Sequence, residues 1–208
     1  MELLYVANPM CSWCWGFQPA LRHLQETLPD IPLTLALGGF DPRRAERPMD
    51  DAQRARVRGH WERVHVLTGQ PFAWEVLERE GFVYDTRPAS KAVLVMRTLW
   101  PALALTFFHR IQERFYALGG DPTDPAVLRA CAVGEFGVDG ADFDRLFHDP
   151  ATDAALAREW ADVAAIGVSG YPTLLALGAG RAVPVTVGWC APDGLVRRVE
   201  AARARLAA

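Results

Sequence analysis

The chain is poor in the features that would tie it to a membrane, a nucleic acid or the cell exterior. Lys91 is its only lysine, so nearly all positive charge is arginine, and the net charge of -3 leaves no basic excess. That balance removes the electrostatic reason to expect nucleic acid or an anionic lipid surface as a partner. No apolar run approaches the roughly 18 residues a transmembrane helix needs. The longest, from Trp100 to Phe108, is short and bracketed by Arg97 and Arg110. Met1-Glu2-Leu3 leads at once into an expected strand, with no basic start, long apolar stretch or small-residue cleavage site, so a cytoplasmic address is expected. Four cysteines in 208 residues are too few for a disulfide scaffold. Internal repeats and low-complexity linkers are also missing, and 50% hydrophobic content suffices for one core, with or without a large insertion.

What the chain does have is concentrated in Asn8-Pro9-Met10-Cys11-Ser12-Trp13-Cys14-Trp15-Gly16. The stretch follows the apolar run Leu3–Ala7 and precedes a helical pattern from Trp15 to about Leu28. A Cys-x-x-Cys pair at a strand-to-helix junction is the redox form of that spacing. Cys11 at the helix N-cap would meet unpaired amide groups and the positive end of the helix dipole, which favour thiolate over thiol. Cys14 falls one turn in on the same face, within reach of the first sulfur. Half of a zinc site looks identical, but zinc needs two further ligands, and Cys131 and Cys190 are far apart in sequence. Both read as small buried residues, with Cys190, beside Trp189, the better candidate for a third thiol. His23, His60, His65, His109 and His148 show no metal spacing, and no metal is expected.

Along the chain, Leu3–Ala7 and Leu33–Leu37 read as strands joined by a helix that contains Pro19, which predicts a parallel β-α-β unit. From Asp50 to about Gly137 only helical patterns appear: an arginine-rich helix to about Leu67, a short one over Phe72–Arg79, and Ala89–Trp100 with Ala102–Leu118, broken or not at Pro101. Asp124-Pro125 and Asp139 then open further segments. The face from Arg54 to Arg63 reads as solvated, or as a site for an acidic partner or glutathione carboxylates. A helix from Pro150 to Ile166 is followed by strands at Thr173–Leu177 and Val183–Val187, a bulge at Gly188, and a closing helix over Asp193–Leu206. The fold class is α/β. A discontinuous sheet-bearing domain, residues 1–40 and 150–208, surrounds an inserted helical subdomain, residues 41–149.

Three separated pieces resemble the thioredoxin superfamily in its DsbA-like branch: the cysteine pair with Pro19, the segment Gly167-Val168-Ser169-Gly170-Tyr171-Pro172-Thr173-Leu174-Leu175, and Val187-Gly188 ahead of a terminal helix. The helical insertion carrying Thr86-Arg87-Pro88-Ala89 is similar to that branch, and the cysteine stretch is similar to cytosolic bacterial DsbA-like proteins of the FrnE-like type. The resemblance implies a thioredoxin-like fold. It also implies a thiol–disulfide oxidoreductase, reductase or isomerase, in which Cys11 attacks, Cys14 resolves, and a cis Pro172 turns the Tyr171 backbone toward Cys11. Met10, Trp13 and Tyr171 would form an apolar rim for protein or peptide substrates. For Trp13, packing against the inserted helices is an equally open reading. Trp15, one residue past the pair, reads as core.

Two departures from the resembling families matter. Trp13 stands where strongly oxidising DsbA proteins have histidine, which implies a less acidic Cys11 and a less oxidising pair. The buried carboxylate that thioredoxins keep in the first strand falls here near Tyr5, so the proton partner of Cys14 is left open. No cofactor is expected beyond glutathione as a candidate reductant. Two rivals share the fold: a kappa-type glutathione-dependent transferase or isomerase, and a non-catalytic adaptor that presents another protein.

Overall fold

Leu3, Tyr5, Val6 and Ala7 are all buried, so the first strand, β1 (Glu2–Ala7), has apolar side chains on both faces, as a central strand requires. The computed structural model that shows this describes residues 1–207, apart from the side chains of Pro42 and Arg44; Ala208, the last residue of the expected second segment, lies outside the described residues. β2 (Leu33–Leu37) pairs with β1 in parallel, in the register Tyr5 to Leu35. β3 (Thr173–Gly178) lies antiparallel on the other side of β1, and β4 (Arg181–Val187) antiparallel beyond it, for the order β2-β1-β3-β4. This mixed sheet, with eight α-helices among the described residues, is a thioredoxin-like fold.

β1 and β2 are joined by α1 (Ser12–Thr27), in which Pro19 sits at an exposed position inside the helix. Between β2 and β3 run α2 (Asp51–Thr68), α3 (Arg87–Leu99), α4 (Ala104–Tyr116), α5 (Pro125–Phe136), α6 (Gly140–Phe147) and α7 (Pro150–Ala165), with α8 (Pro192–Ala207) after β4. The start signals act as their chemistry dictates. Asp50 caps α2 in a capping box with Gln53, and the side chains of Asp124, Asp139 and Asp149 each accept from the first turn of the helix they open. Between α3 and α4 the chain makes a 3-10 turn over Pro101–Leu103. Pro101 has no N–H to continue a helix, and Trp100 before it is driven out of helical geometry, to φ -140 and ψ 77.

Three expectations differ from the structure. The helix predicted over Phe72–Arg79 is only a 3-10 turn, Trp74–Glu78. Arg54 Nη1 donates to the carbonyls of Leu77 at 2.6 Å and Arg79 at 3.1 Å, which stand at the end of this turn where no intrahelical N–H follows. The arginine face of α2 is accordingly not uniformly solvated: Arg54 makes those contacts and Arg58 pairs with Glu78, which leaves Arg56 and Arg63 exposed. The strand irregularity lies opposite Leu174 and Leu175, where Pro184 on edge strand β4 cannot donate to the ladder, and not at Gly188. Gly188 instead takes φ +85 and donates its N–H to the Pro172 carbonyl at 2.7 Å.

The inserted helices share the core of the sheet. The Tyr5 ring lies 5.9 Å from Phe17 of α1 and 6.2 Å from Phe108 of α4. On the open edge of β2, Glu159 of α7 accepts from the Leu37 N–H at 2.7 Å and pairs with Arg97 of α3, which also donates to the Leu35 carbonyl at 3.0 Å. These groups are mostly shielded from water, so losing one partner strands the others. Glu159→Ala should destabilise the protein by about 2 kcal/mol in urea unfolding, whereas Glu159→Gln, which keeps an acceptor for Leu37, should lose less.

Candidate active site

Cys11 is the N-cap of α1, with extended backbone (φ -97, ψ 113), and its carbonyl accepts the first helical bond from the Trp15 N–H at 3.0 Å. Asn8, fully buried, sets up that start. Its side-chain oxygen accepts from the Met10 N–H at 2.8 Å and its backbone carbonyl from the Cys11 N–H at 3.1 Å. Its amide donates to the Gly38 carbonyl at 2.7 Å and to Thr86 Oγ1 at 3.2 Å. One side chain therefore joins the head of α1, the end of β2 and the start of α3. Of the phrase Thr86-Arg87-Pro88-Ala89, the structure makes Thr86 the part that reaches the cysteine loop.

The sulfur of Cys11 donates to the Tyr171 carbonyl oxygen at 3.5 Å. The Tyr171–Pro172 peptide bond is cis. The loop that carries it is held from several sides: the Tyr171 hydroxyl donates to the Gly39 carbonyl at 3.0 Å, and Thr173 Oγ1 donates to Gly170 at 2.8 Å. Gly188 takes the Pro172 carbonyl, as above. The Tyr171 ring lies over Gly38, where an added Cβ would come within 2.1 Å of it, so only glycine permits this approach.

Cys11 opens into a cavity of about 170 Å³. The cavity is lined by Phe40 and Tyr171, whose rings pack at 5.9 Å, by Val57, His60 and Trp61 of α2, and by Tyr84. Met10 borders this cavity but is only 1% exposed. The rim expected of it is corrected accordingly: its N–H is held by Asn8, and its carbonyl by the Tyr84 hydroxyl at 2.8 Å, which draws the residue into the wall. Trp13 has a part in each of the two places expected for it. It borders the cavity, yet it is half-buried because its indole N–H donates to His60 Nδ1 on α2 at 3.3 Å. Trp15 is core: it stacks on Tyr116 at 6.1 Å and donates to the Pro71 carbonyl at 3.1 Å.

The two sulfurs differ in environment. Cys14 is fully buried, and burial first, with the neighbouring Cys11 second, holds its thiol well above the ordinary thiol range. Cys11 is 6% exposed, through the cavity. Cys131 and Cys190 are both buried, the first with its thiol pushed up to about 11 by burial, and neither borders this cavity. No group of three potential metal ligands occurs among the described residues. His60, Tyr84 and Phe40 carried no sequence signal of their own; each lies far along the chain from Cys11, and only the packing of α2 and the following loops brings them to it.

A family model described as the DSBA-like thioredoxin domain matches residues 5–199. Among solved structures, a candidate protein disulfide isomerase from Nitrosomonas europaea is similar at 30% identity and a TM-score of 0.89, covering 98% of each chain. The cytosolic disulfide reductase DsbM of Pseudomonas aeruginosa is similar at 27% identity and a TM-score of 0.80, over 99% of this chain and 100% of that one. The same protein with GSH is similar at 26% identity and a TM-score of 0.79, again over 99% and 100%. No curated protein matches the chain.

The difference in burial is directly measurable. Treating the folded, reduced protein with iodoacetamide near neutral pH should modify Cys11 while Cys14 stays protected until denaturant is added, as read by peptide mass spectrometry. Gly38→Ala, by displacing Tyr171 from the sulfur, should speed Cys11 modification severalfold and leave Cys14 protected.

Proposed function

The chain belongs to the DSBA-like thioredoxin domain family, and from that premise we propose that it is a thiol–disulfide oxidoreductase that reduces or isomerises disulfides through Cys11 and Cys14. The observation that carries this reading is the placement of the Cys11 sulfur: at the tip of α1, open to an apolar cavity and beside the Tyr171 carbonyl, with Cys14 sealed behind it. Cys11, as thiolate, attacks one sulfur of a substrate disulfide and releases the other as a thiolate, forming a mixed disulfide. Cys14 then attacks the Cys11 sulfur, closes a Cys11–Cys14 disulfide and releases the second substrate thiolate. Two electrons pass from the enzyme dithiol to the substrate. In isomerisation a substrate thiol, not Cys14, releases the enzyme.

Tyr171 and Pro172 form the orienting loop, and an extended peptide can lie along the Tyr171 backbone by strand addition. Trp13 and the Tyr171 ring supply apolar contact beside the sulfur. The setting proposed is a reducing cytoplasm, where such a pair rests as dithiol and net oxidation is disfavoured; the likeness to a cytosolic disulfide reductase supports it. Among the described residues no helix is long and apolar enough to cross a membrane.

Glutathione is proposed as the electron donor, returning the Cys11–Cys14 disulfide to dithiol. Two observations favour it. A similar structure is that of DsbM with GSH. The cavity at Cys11 also shares Val57 and Tyr84 with a second hollow, which runs along α2 to Gln53 and the exposed Arg56. From His60 to Gln53 along a helix is about 10 Å, the scale of a tripeptide, so an anionic tail could reach Arg56 with its sulfur at Cys11.

Cys11→Ser should reduce a disulfide-bonded peptide no faster than the uncatalysed control, and Cys14→Ala should accumulate substrate as a mixed disulfide at Cys11. Arg56→Glu should raise KM for glutathione about fivefold with kcat unchanged, the scale of one exposed ionic contact. Isomerase activity that survives Cys14→Ala would favour the glutathione-dependent isomerase instead. A single protein partner retained equally by wild type and the double-cysteine variant, with no turnover, would favour the adaptor.

A further inference from the structure

Cys14 must lose a proton to resolve the mixed disulfide, yet it is fully buried and, among the described residues, no Asp, Glu, His, Lys or Arg acts on it. The groups that do are Cys11, the Asn8 backbone and the Tyr5 hydroxyl. Tyr5 is itself wholly buried in β1, its ring 5.9 Å from Phe17, which lies one helical turn past Cys14 on the same face of α1, and its hydroxyl has no hydrogen-bond partner among the described residues. A second orphan lies alongside. Gln112 on α4 is 0% exposed, and both polar atoms of its carboxamide lack a partner. Its place follows from helical spacing: one turn before it Phe108 packs on Tyr5, and one turn after it Tyr116 stacks on Trp15, the neighbour of Cys14. Gln112 therefore faces the same interior space behind the second cysteine.

Burying hydrogen-bonding groups without partners is costly, and apolar replacements of the same shape would be neutral or stabilising. Two such groups on the elements behind the second cysteine, Tyr5 on β1 and Gln112 on α4, are not accounted for by packing. We propose that Tyr5, backed by Gln112, is the positioning residue for the resolving step, its hydroxyl donating a hydrogen bond to the Cys14 sulfur as that sulfur ionises and attacks. The inference rests on the thiol–disulfide reading above.

The step balances without another reagent. The Cys14 thiol gives up its proton, the thiolate attacks Cys11, the Cys11–Cys14 bond forms as the bond from Cys11 to substrate breaks, and the departing substrate thiolate is the final acceptor of the proton that Cys14 lost. Tyr5 neither gains nor loses charge. Its oxygen accepts from the thiol before ionisation and its O–H turns to the thiolate afterwards, while the flexible Gln112 side chain offers the hydroxyl an alternative partner in either state. His109, one turn back along α4, does not compete as a base, because burial first and Arg22 second lower its pKa to about 4.

The test separates chemistry from folding. Reduced protein is mixed with a glutathionylated peptide in single turnover, and formation and decay of the mixed disulfide at Cys11 are followed by acid quench and mass spectrometry. Tyr5→Phe should leave formation unchanged, slow decay about tenfold, and raise the thermal midpoint by removing an orphaned hydroxyl. Without the donor the Cys14 thiolate is less favoured, so its pKa rises and the pH dependence of decay moves to higher pH. Gln112→Met, similar in shape but apolar, should slow decay in the same direction by a smaller factor. Decay in Tyr5→Phe that matches wild type across the pH range overturns the inference, and so does a drop in thermal midpoint with both steps slowed equally, which marks a packing role. If wild type forms no mixed disulfide at Cys11, the thiol–disulfide reading fails first, and the inference with it.

Discussion

The buried carboxamide of Asn8 is the contact on which the rest of the structure depends. Its three hydrogen bonds, with a fourth accepted by the Asn8 backbone carbonyl, tie together the loop ahead of α1, the end of β2 and the first residue before α3. In a water-excluded core such a network is strong when complete and costly when broken, so it specifies one arrangement of these three segments. The helix tip carrying Cys11 is thus located relative to both the sheet and the inserted helices. Tyr171 reaches the same point from the far end of the chain, held over Gly38 and Gly39, the residues that follow β2 directly.

From that placement the unequal environments of the two sulfurs follow. Three residues is nearly one helical turn, so Cys11 at the cap and Cys14 within the first turn share a face. The cap position borders a cavity, while the next turn is pressed against β1 and α4. Burial then acts in one direction only, disfavouring charge on Cys14. A pair in which the outer sulfur is available and the inner one is held back as thiol is ordered for two-step exchange. No charged residue is needed to impose that order, and none acts on Cys14 among the described residues.

The inserted helices build half of the site. α2 supplies part of the cavity lining and the partner of the Trp13 indole, while the chain just before α3 supplies Tyr84 and Thr86. Arginine enters this architecture as mortar as well as surface charge. Arg54 and Arg97 direct guanidinium donors at the backbone carbonyls of Leu77, Arg79 and Leu35. The planar fork of arginine suits that task better than the point charge of lysine, in a chain with a single lysine.

Much of the fold was legible in local chemistry. Asp-Pro and Asp-Asp pairs opened helices, Pro101 broke one, and short apolar runs between turn residues became strands, because each signal acts within a few residues of itself. The cysteine pair and the Tyr171-Pro172 segment were legible as well, since a strand-to-helix junction and an X-Pro step restrict the backbone locally. What the sequence could not reveal was which groups stand around the sulfur. Met10 lies in a wall and not on a rim, His60 and Tyr84 border the cavity, and Tyr5 and Gln112 are wholly buried on β1 and α4, because residues tens of positions apart were folded against one helix tip. Local rules determined the elements and the reactive pair. Long-range packing alone decided how deeply each sulfur is buried and what it touches, because burial belongs to the whole assembled core and not to any segment of it.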